Sequence, residues 1–401
     1  MNISNTNNNS SSIFGERAIA ILYLVFVMTS ILGDVLYWLV SKSFAGFAKL
    51  FFYPALLIIA IDLIIYKKVV ADKFIYRLTI IGSICLLNGL IFNSIGIAFF
   101  AHFLPFILPI FAFSYGYRSE KNFGILIKIL DRYAIASGFI LSLLVVFYYQ
   151  LIKMDYIEYF GAGALIAYPI FYAIKKKYYL TAILFYFTNI FTGKRSVLLA
   201  ITITIFIFIL KKISFFWRIV LALLSCLILY AYYLLGTLSN GKLFNSSMDR
   251  YFAYFNYISE TKNIAKSIDL ATSGRLYDAI AALDRLGSSV LNWLIGLGFG
   301  AEFSVIYSWT TVPYVTHYSH FTPISYLFLG GLVLLITIYS RLLKELFSAV
   351  VNINDPLAMM VVYYFIMGFS GAIFFTDVFL WIFIGCFSAR RVILTKTFTL
   401  S

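Results

Sequence analysis

Continuous apolar runs close to the ~20 residues that an α-helix needs to cross a bilayer recur along nearly the whole chain. Such runs leave few options. Backbone polar groups in hydrocarbon must be satisfied inside the segment or around a closed barrel. These runs are apolar throughout instead of alternating apolar and polar residues, which argues against a β-barrel. Composition agrees, with 62% hydrophobic and only 12% charged residues, against roughly half apolar and a quarter charged in a soluble domain. The expected fold class is an all-α polytopic membrane protein with no soluble domain of independent size.

Hydropathy predicts about twelve spans, over 18–40, 46–66, 78–95, 97–116, 133–152, 161–174, 178–192, 197–210, 218–235, 320–340, 357–373 and 374–389. Pro105 and Pro109 are expected to kink or interrupt the fourth. The Asn- and Ser-rich residues 1–17 form a disordered tail, 18–235 carry nine spans, 236–319 one large loop, 320–389 three spans, and 390–401 a second tail. The first run is too long for a signal-peptide core and lacks a small-x-small cleavage site, so it is read as a retained span. Cys85, Cys226 and Cys386 all lie inside apolar runs and read as small hydrophobes, not as a disulfide or metal set.

The net charge of +14 does not point to nucleic acid, because the basic residues fall in short clusters between apolar runs. Lys67, Lys68, Lys73 and Arg77 form one cluster and Arg118, Lys121, Lys128 and Arg132 another. Lys175, Lys176 and Lys177 follow, then Lys211, Lys212 and Arg218, then Arg341 and Lys344, then Arg390, Arg391 and Lys396. In a twelve-span arrangement all of these share one side, which the positive-inside rule makes cytoplasmic, with both termini. The loop 236–319 then faces outward. Lys194 and Arg195 are the exception, since they sit in a tight outward turn where positive charge is disfavoured unless something uses it.

The loop holds the polar chemistry. Residues 249–267 read as a helix lying on the membrane surface. Residues 275–286 read as an amphipathic helix with Leu276, Ile280, Leu283 and Leu286 on its apolar face. Ser273 is the expected N-cap, which places Gly274 and Arg275 in a first turn where free N–H groups and the helix dipole attract anions. An arginine there can grip a phosphate with two parallel hydrogen bonds. Gly296, Gly298 and Gly300 alternate with other residues, but no strand or βαβ unit surrounds them. A tight turn or a close backbone approach to substrate fits better than a nucleotide loop. His317 and His320 lack a third metal ligand at a recognisable spacing, and either is a candidate general base. Asp34 and Asp377 near outward span ends are secondary candidates; Asp62 and His102 are weaker. Trp293, Tyr307 and Trp309 are candidates for stacking on sugar rings.

Three blocks resemble the O-antigen polymerase family, within the O-antigen polymerase and ligase superfamily of bacterial envelope glycosyltransferases. Thr192-Gly-Lys-Arg-Ser196 opening a span is similar to the family's arginine turn. Ser273-Gly-Arg275 with an amphipathic helix, followed by residues 295–300, is similar to its loop arginine and glycine block, with Tyr277 nearest to the usual aromatic. His320, ten residues before Gly330, is similar to its loop histidine, although Phe321 stands where the family usually has asparagine, and His317 is the other histidine the pattern admits. The motifs cover about 190–340, the span architecture the whole chain.

The resemblance implies a GT-C-like fold in the bacterial inner membrane with a periplasmic loop, and no cofactor or metal. It implies an undecaprenyl-diphosphate-linked oligosaccharide as substrate, with membrane lipids, a chain-length regulator protein and a flippase as partners and no nucleic acid. Its implied roles are diphosphate binding by Arg195, Lys194, Gly274 and Arg275, and proton transfer by His320, with His317 or Asp34 as the alternative base. Asp34, Asp377, Gly298 and Tyr277 stand as secondary site candidates. A ligase of the same superfamily and a lipid-linked oligosaccharide flippase or transporter are the competing functions.

Overall fold

The computed structural model describes residues 15–22, 25, 57–61, 72–122, 124–152, 163–190, 195–214, 216–217, 274–287, 289–307, 312–369 and 378–398. Most of the predicted spans 18–40 and 46–66, all of 218–235 and the surface helix at 249–267 lie outside these residues. So do Asp34, Asp62, Lys194, Ser273, Trp309 and Asp377.

The described chain is helical apart from one small hairpin. Its elements are α1 (Lys73–Phe92), α2 (Ile97–Asn122), α3 (Ile125–Ile152), α4 (Gly163–Lys175), α5 (Tyr179–Ile190), α6 (Arg195–Lys212), α7 (Arg275–Leu286), α8 (Val290–Ile295), β1 (Phe303–Val305), β2 (Tyr314–Thr316), α9 (Thr322–Val351), α10 (Pro356–Met367) and α11 (Val378–Phe398). Among the described residues three helices are long and apolar enough to cross a membrane: α1, α3 over Ile125–Val146, and α9. The all-α membrane class therefore holds.

The details depart from hydropathy. α2 is continuous over Ile97–Asn122, so the two prolines expected to kink or interrupt this run do not end the helix. The runs 161–174, 178–192 and 357–373 yield helices of 13, 12 and 12 residues in the described chain. At 1.5 Å per residue each is about 20 Å long, short of the ~30 Å hydrocarbon core. Among these, α10 packs against α4, α6, α9 and α11 and is buried nearly all round, so its uniform apolarity marks the interior of the bundle.

α2 packs closely along α11, where two glycines remove the obstacle to contact. A Cβ on Gly116 would lie 2.2 Å from the Ile382 carbonyl oxygen, and one on Gly385 would lie 2.3 Å from that of Phe113. Small residues at a helix crossing let backbones approach, as is common between membrane helices.

Charged residues from distant parts of the chain meet at one end of the bundle. Asp72 caps α1 by accepting the Phe74 N–H at 2.9 Å and also takes Arg341 Nη1 at 2.8 Å. Buried Glu345 pairs with Arg341 and Arg391, each at 3.1 Å. Arg390 joins Glu120 at 2.7 Å and Asp355 at 2.5 Å. Lys175 lies between Asp131 and Asp355. Lys175, Arg341, Arg390 and Arg391, drawn from three of the basic clusters, thus meet among the described residues. The loop residues that dock against Gly331 lie about 15 Å along the second part of α9 from Arg341 at 1.5 Å per residue, away from this charged end.

Candidate functional site

The loop is docked onto the helices by glycines. α9 is broken at Gly330 (φ −130°, ψ 16°) and Gly331 (φ 65°, ψ −166°). A break inside a membrane helix frees backbone groups that need new partners, and the loop supplies them. Leu297 N–H donates to the Phe328 carbonyl at 2.9 Å and Gly298 N–H to that of Leu329 at 3.0 Å, while Phe299 N–H reaches the Cys85 carbonyl of α1 at 3.0 Å. Gly296, Gly298 and Gly300 all have positive φ. A Cβ on Gly296 would lie 2.4 Å from the Leu329 carbonyl, and one on Gly298 would lie 2.7 Å from the Gly89 nitrogen. The close approach expected at Gly298 is therefore to helix backbone. Asn93, at the end of α1, completes the seam by donating to the Leu297 and Phe299 carbonyls at 2.9 and 3.0 Å.

On this platform sit α7, α8 and the antiparallel pair β1–β2, with Phe303 opposite Thr316 and Val305 opposite Tyr314. Three details of α7 correct the sequence reading. Its N-cap is Gly274 in the left-handed conformation (φ 86°), with no side-chain cap bond, so Arg275 is the first helical residue. Its buried stripe is Asp278, Ala282 and Leu286, whereas Ile280, assigned to the apolar face, is 40% exposed. Leu286 of the expected apolar face is buried and Leu276 and Leu283 are half-buried, so only Ile280 departs from it, and a carboxylate takes the first buried position.

Asp278 is 1% exposed and both its oxygens are engaged. His320 Nδ1–H donates to Oδ2 at 2.5 Å, and the Tyr307 hydroxyl donates to Oδ1 at 2.9 Å. The acidic residue also lies in the first turn of α7, where the helix dipole favours negative charge. The His320 side chain is 49% exposed against 1% for its partner. One ring nitrogen is therefore held from below while the ring stays open to solvent. A neutral imidazole that donates from Nδ1 carries its lone pair on Nε2, which is the arrangement of a histidine base oriented by a carboxylate.

Local hydrogen bonds hold the turn that carries His320. Thr316 Oγ1 donates to the Tyr318 carbonyl at 3.2 Å. Buried Ser319 accepts the Phe321 N–H at 3.2 Å on its hydroxyl and the Ser325 hydroxyl at 2.6 Å on its carbonyl. The ring of Tyr318 stands edge-on between those of His317 and His320. Burial lowers the pKa of His317 below the ordinary histidine value, with Glu302 acting weakly in the other direction. The carboxylate partner belongs to His320, not to His317.

Arg275 is half-buried and precedes Asp278 by three residues, so the two share one face of α7 a single turn apart. Tyr277 is half-buried on the same turn. Arg195 opens α6 as Arg275 opens α7. At the far end of α6, Lys211 donates to the Val350 and Val351 carbonyls, which places the start of α6 at the loop end of the bundle. Two aromatics expected to stack on sugars have other engagements: Trp293 Nε1–H closes the α7–α8 turn on the Gly287 carbonyl at 3.0 Å, and Tyr307 binds Asp278.

Sequence reasoning missed Asp278, although its position one turn after Arg275 was the available signal. It ranked His102 low, yet that side chain is buried and contacts the loop twice. No protein-family model and no curated protein matches the chain.

Proposed function

We propose that the protein is a glycosyltransferase that polymerises a surface polysaccharide. It would transfer the growing glycan from undecaprenyl diphosphate to a lipid-linked repeat unit at the periplasmic face of the inner membrane. One observation carries the reading: Arg275 and the Asp278–His320 pair stand one helical turn apart on a loop seated at the end of a membrane bundle. The residues suit the reaction. His320 Nε2 takes the proton of the acceptor hydroxyl, and the resulting oxygen attacks the anomeric carbon of the donor chain. The bond from that carbon to the diphosphate oxygen breaks, and the leaving diphosphate departs with the electron pair. Fixed positive charge stabilises that developing charge, and Arg275 at a helix N-terminus supplies it. Arg195, opening α6 at the same end, belongs to the second arginine-bearing turn in this reading; Lys194, its sequence neighbour, is the further cation this reading assigns to the diphosphate.

The finer architecture belongs to the same proposal: about twelve spans, a GT-C-like arrangement, and both termini cytoplasmic. The paired charges at the far end of the bundle support it, because basic residues collect on the cytoplasmic side. The test is polymerisation by the purified protein with a defined undecaprenyl-diphosphate-linked repeat unit, read as a ladder of chain lengths. No ladder, with the glycan instead moved onto a lipid A-core acceptor, would make the protein a ligase. No transfer to either acceptor, with transbilayer movement of the unit in proteoliposomes, would make it a flippase.

A further inference from the structure

His102 lies on α2, 2% exposed, and neither a base nor a phosphate grip requires it. Its ring nitrogens make two bonds of opposite sense to the loop. The Gly300 N–H donates to Nδ1 at 3.0 Å, so Nδ1 carries no proton. Nε2 contacts the His317 carbonyl, which can only accept, so Nε2 carries the ring proton. Gly300 precedes β1 and His317 follows β2, so one side chain holds both ends of the hairpin at its open side. The hairpin's other side carries Tyr307, which binds Asp278. His320 lies three residues beyond the clamped carbonyl.

We infer that His102 is a positioning residue: by clamping Gly300 and His317 to α2, it sets the hairpin so that His320 meets Asp278. The inference rests on the proposed role of His320 for its effect on rate, but not for its effect on geometry. A neutral imidazole meets the requirement because it offers one acceptor and one donor from a rigid ring. A glutamine offers the same pair on an arm of comparable reach. A leucine fills much of the volume and offers neither.

The chain has only three histidines, so nitrogen NMR of full-length protein labelled at histidine reads each ring. The expected wild-type pattern is opposite tautomers, with the proton on Nε2 of His102 and on Nδ1 of His320. His102→Gln is expected to leave His320 as the Nδ1–H form and to keep the rate of chain extension within about threefold of wild type. His102→Leu is expected to give a mixture of His320 tautomers. It should lower kcat roughly tenfold or more, since small misplacements of a reacting group are costly, with KM for the lipid-linked acceptor unchanged. If His102→Leu does not fold, His102→Asn replaces it, because the shorter amide reaches Gly300 and not His317. It is expected to show the same mixture. A His320 that remains a single Nδ1–H species in the Leu or Asn variant would overturn the inference. If the wild type forms no polymer, the proposed function fails while the NMR comparison still decides the clamp.

Discussion

Replacing Asp278 by Asn is the most direct test of the site, because it removes one charge and almost no volume. In the native arrangement the Asp278 carboxylate lies 2.5 Å from His320 Nδ1. When Nε2 takes a proton, the ring becomes positive with its charge centre about 4 Å from that of the carboxylate. At an effective dielectric of about 20 that attraction is worth ~4 kcal/mol, or nearly three orders of magnitude in rate. The half-exposed ring screens part of it, so a loss of roughly 10²–10³ in kcat is expected, within the range general-base catalysis contributes. The amide also has one acceptor oxygen where the carboxylate has two. If that oxygen serves Tyr307, the amino group faces Nδ1 and forces the proton onto Nε2, which leaves no lone pair for the acceptor hydroxyl. The assay is single-turnover chain extension on purified protein, with thermal unfolding in detergent as the control for folding. An Asp278→Asn variant that keeps more than about a third of wild-type kcat with an unchanged unfolding midpoint would refute the paired-base reading.

Three further outcomes are expected. Arg275→Ala should insert and fold normally yet lose about 10²–10⁴ in extension rate. Two charge-assisted bonds to a diphosphate are worth ~1.5–3 kcal/mol each, and normal polymer length in this variant would remove Arg275 from the reaction. Gly331→Ala should cost about 3 kcal/mol or more, because φ is 65° and the added Cβ would lie 2.3 Å from the Leu294 backbone. Its readout is a lost or much lower unfolding midpoint, and wild-type stability would refute the docking described for α9. His317 should titrate below the ordinary value of 6.5. Its folded pKa is depressed because burial disfavours the charged ring, so its contribution to stability is fully present above that ordinary value. That contribution is lost as pH falls through the lower folded value. An NMR midpoint at or above 6.5 would contradict this.

What could be read from the residues divides along physical lines. Apolar length and charge placement are additive along the chain, so the helical membrane class and the shared end of Arg341, Arg390 and Arg391 were legible. Helix ends were less so: hydropathy stops the tenth span near residue 340, whereas α9 continues to Val351 because Arg341 and Glu345 neutralise each other inside the bundle. The candidate site was half legible. Arg275, His317 and His320 stood out as polar residues in an apolar chain, and only the resemblance favoured His320 over His317. Asp278 did not, since its burial depends on His320 and Tyr307, which lie 42 and 29 residues away. A pairing at that separation leaves no local periodicity, and the apolar moment of α7 pointed to Ile280 instead. The small strands β1 and β2 went unpredicted for the same reason, being three residues each and held by tertiary contacts.

The two glycine groups, far apart in role when read singly, are parts of one joint. A Cβ on Gly296 would collide with Leu329 and Gly330, and one on Gly331 with Leu294 and Ile295. Each segment needs the other's missing side chain, and the carbonyls released by the broken helix are met by the N–H groups of the glycine block. Replacing either glycine alone would therefore disturb both segments. From this joint the chain passes through Gly300, which His102 holds, into β1. It returns through β2 and the clamped carbonyl of His317 to His320, and so into α9 again. This part of the loop thus docks on and rejoins the membrane bundle within one bonded frame, and α7, which carries the carboxylate, packs beside α9 and β1. In the proposed reaction a base and a cation act on one glycosidic bond and need fixed separation. Here that separation is set by α7 between Arg275 and Asp278 and by the glycine joint between α7's platform and His320. A mutation at the joint should therefore impair chemistry at the histidine without touching any residue that would contact substrate.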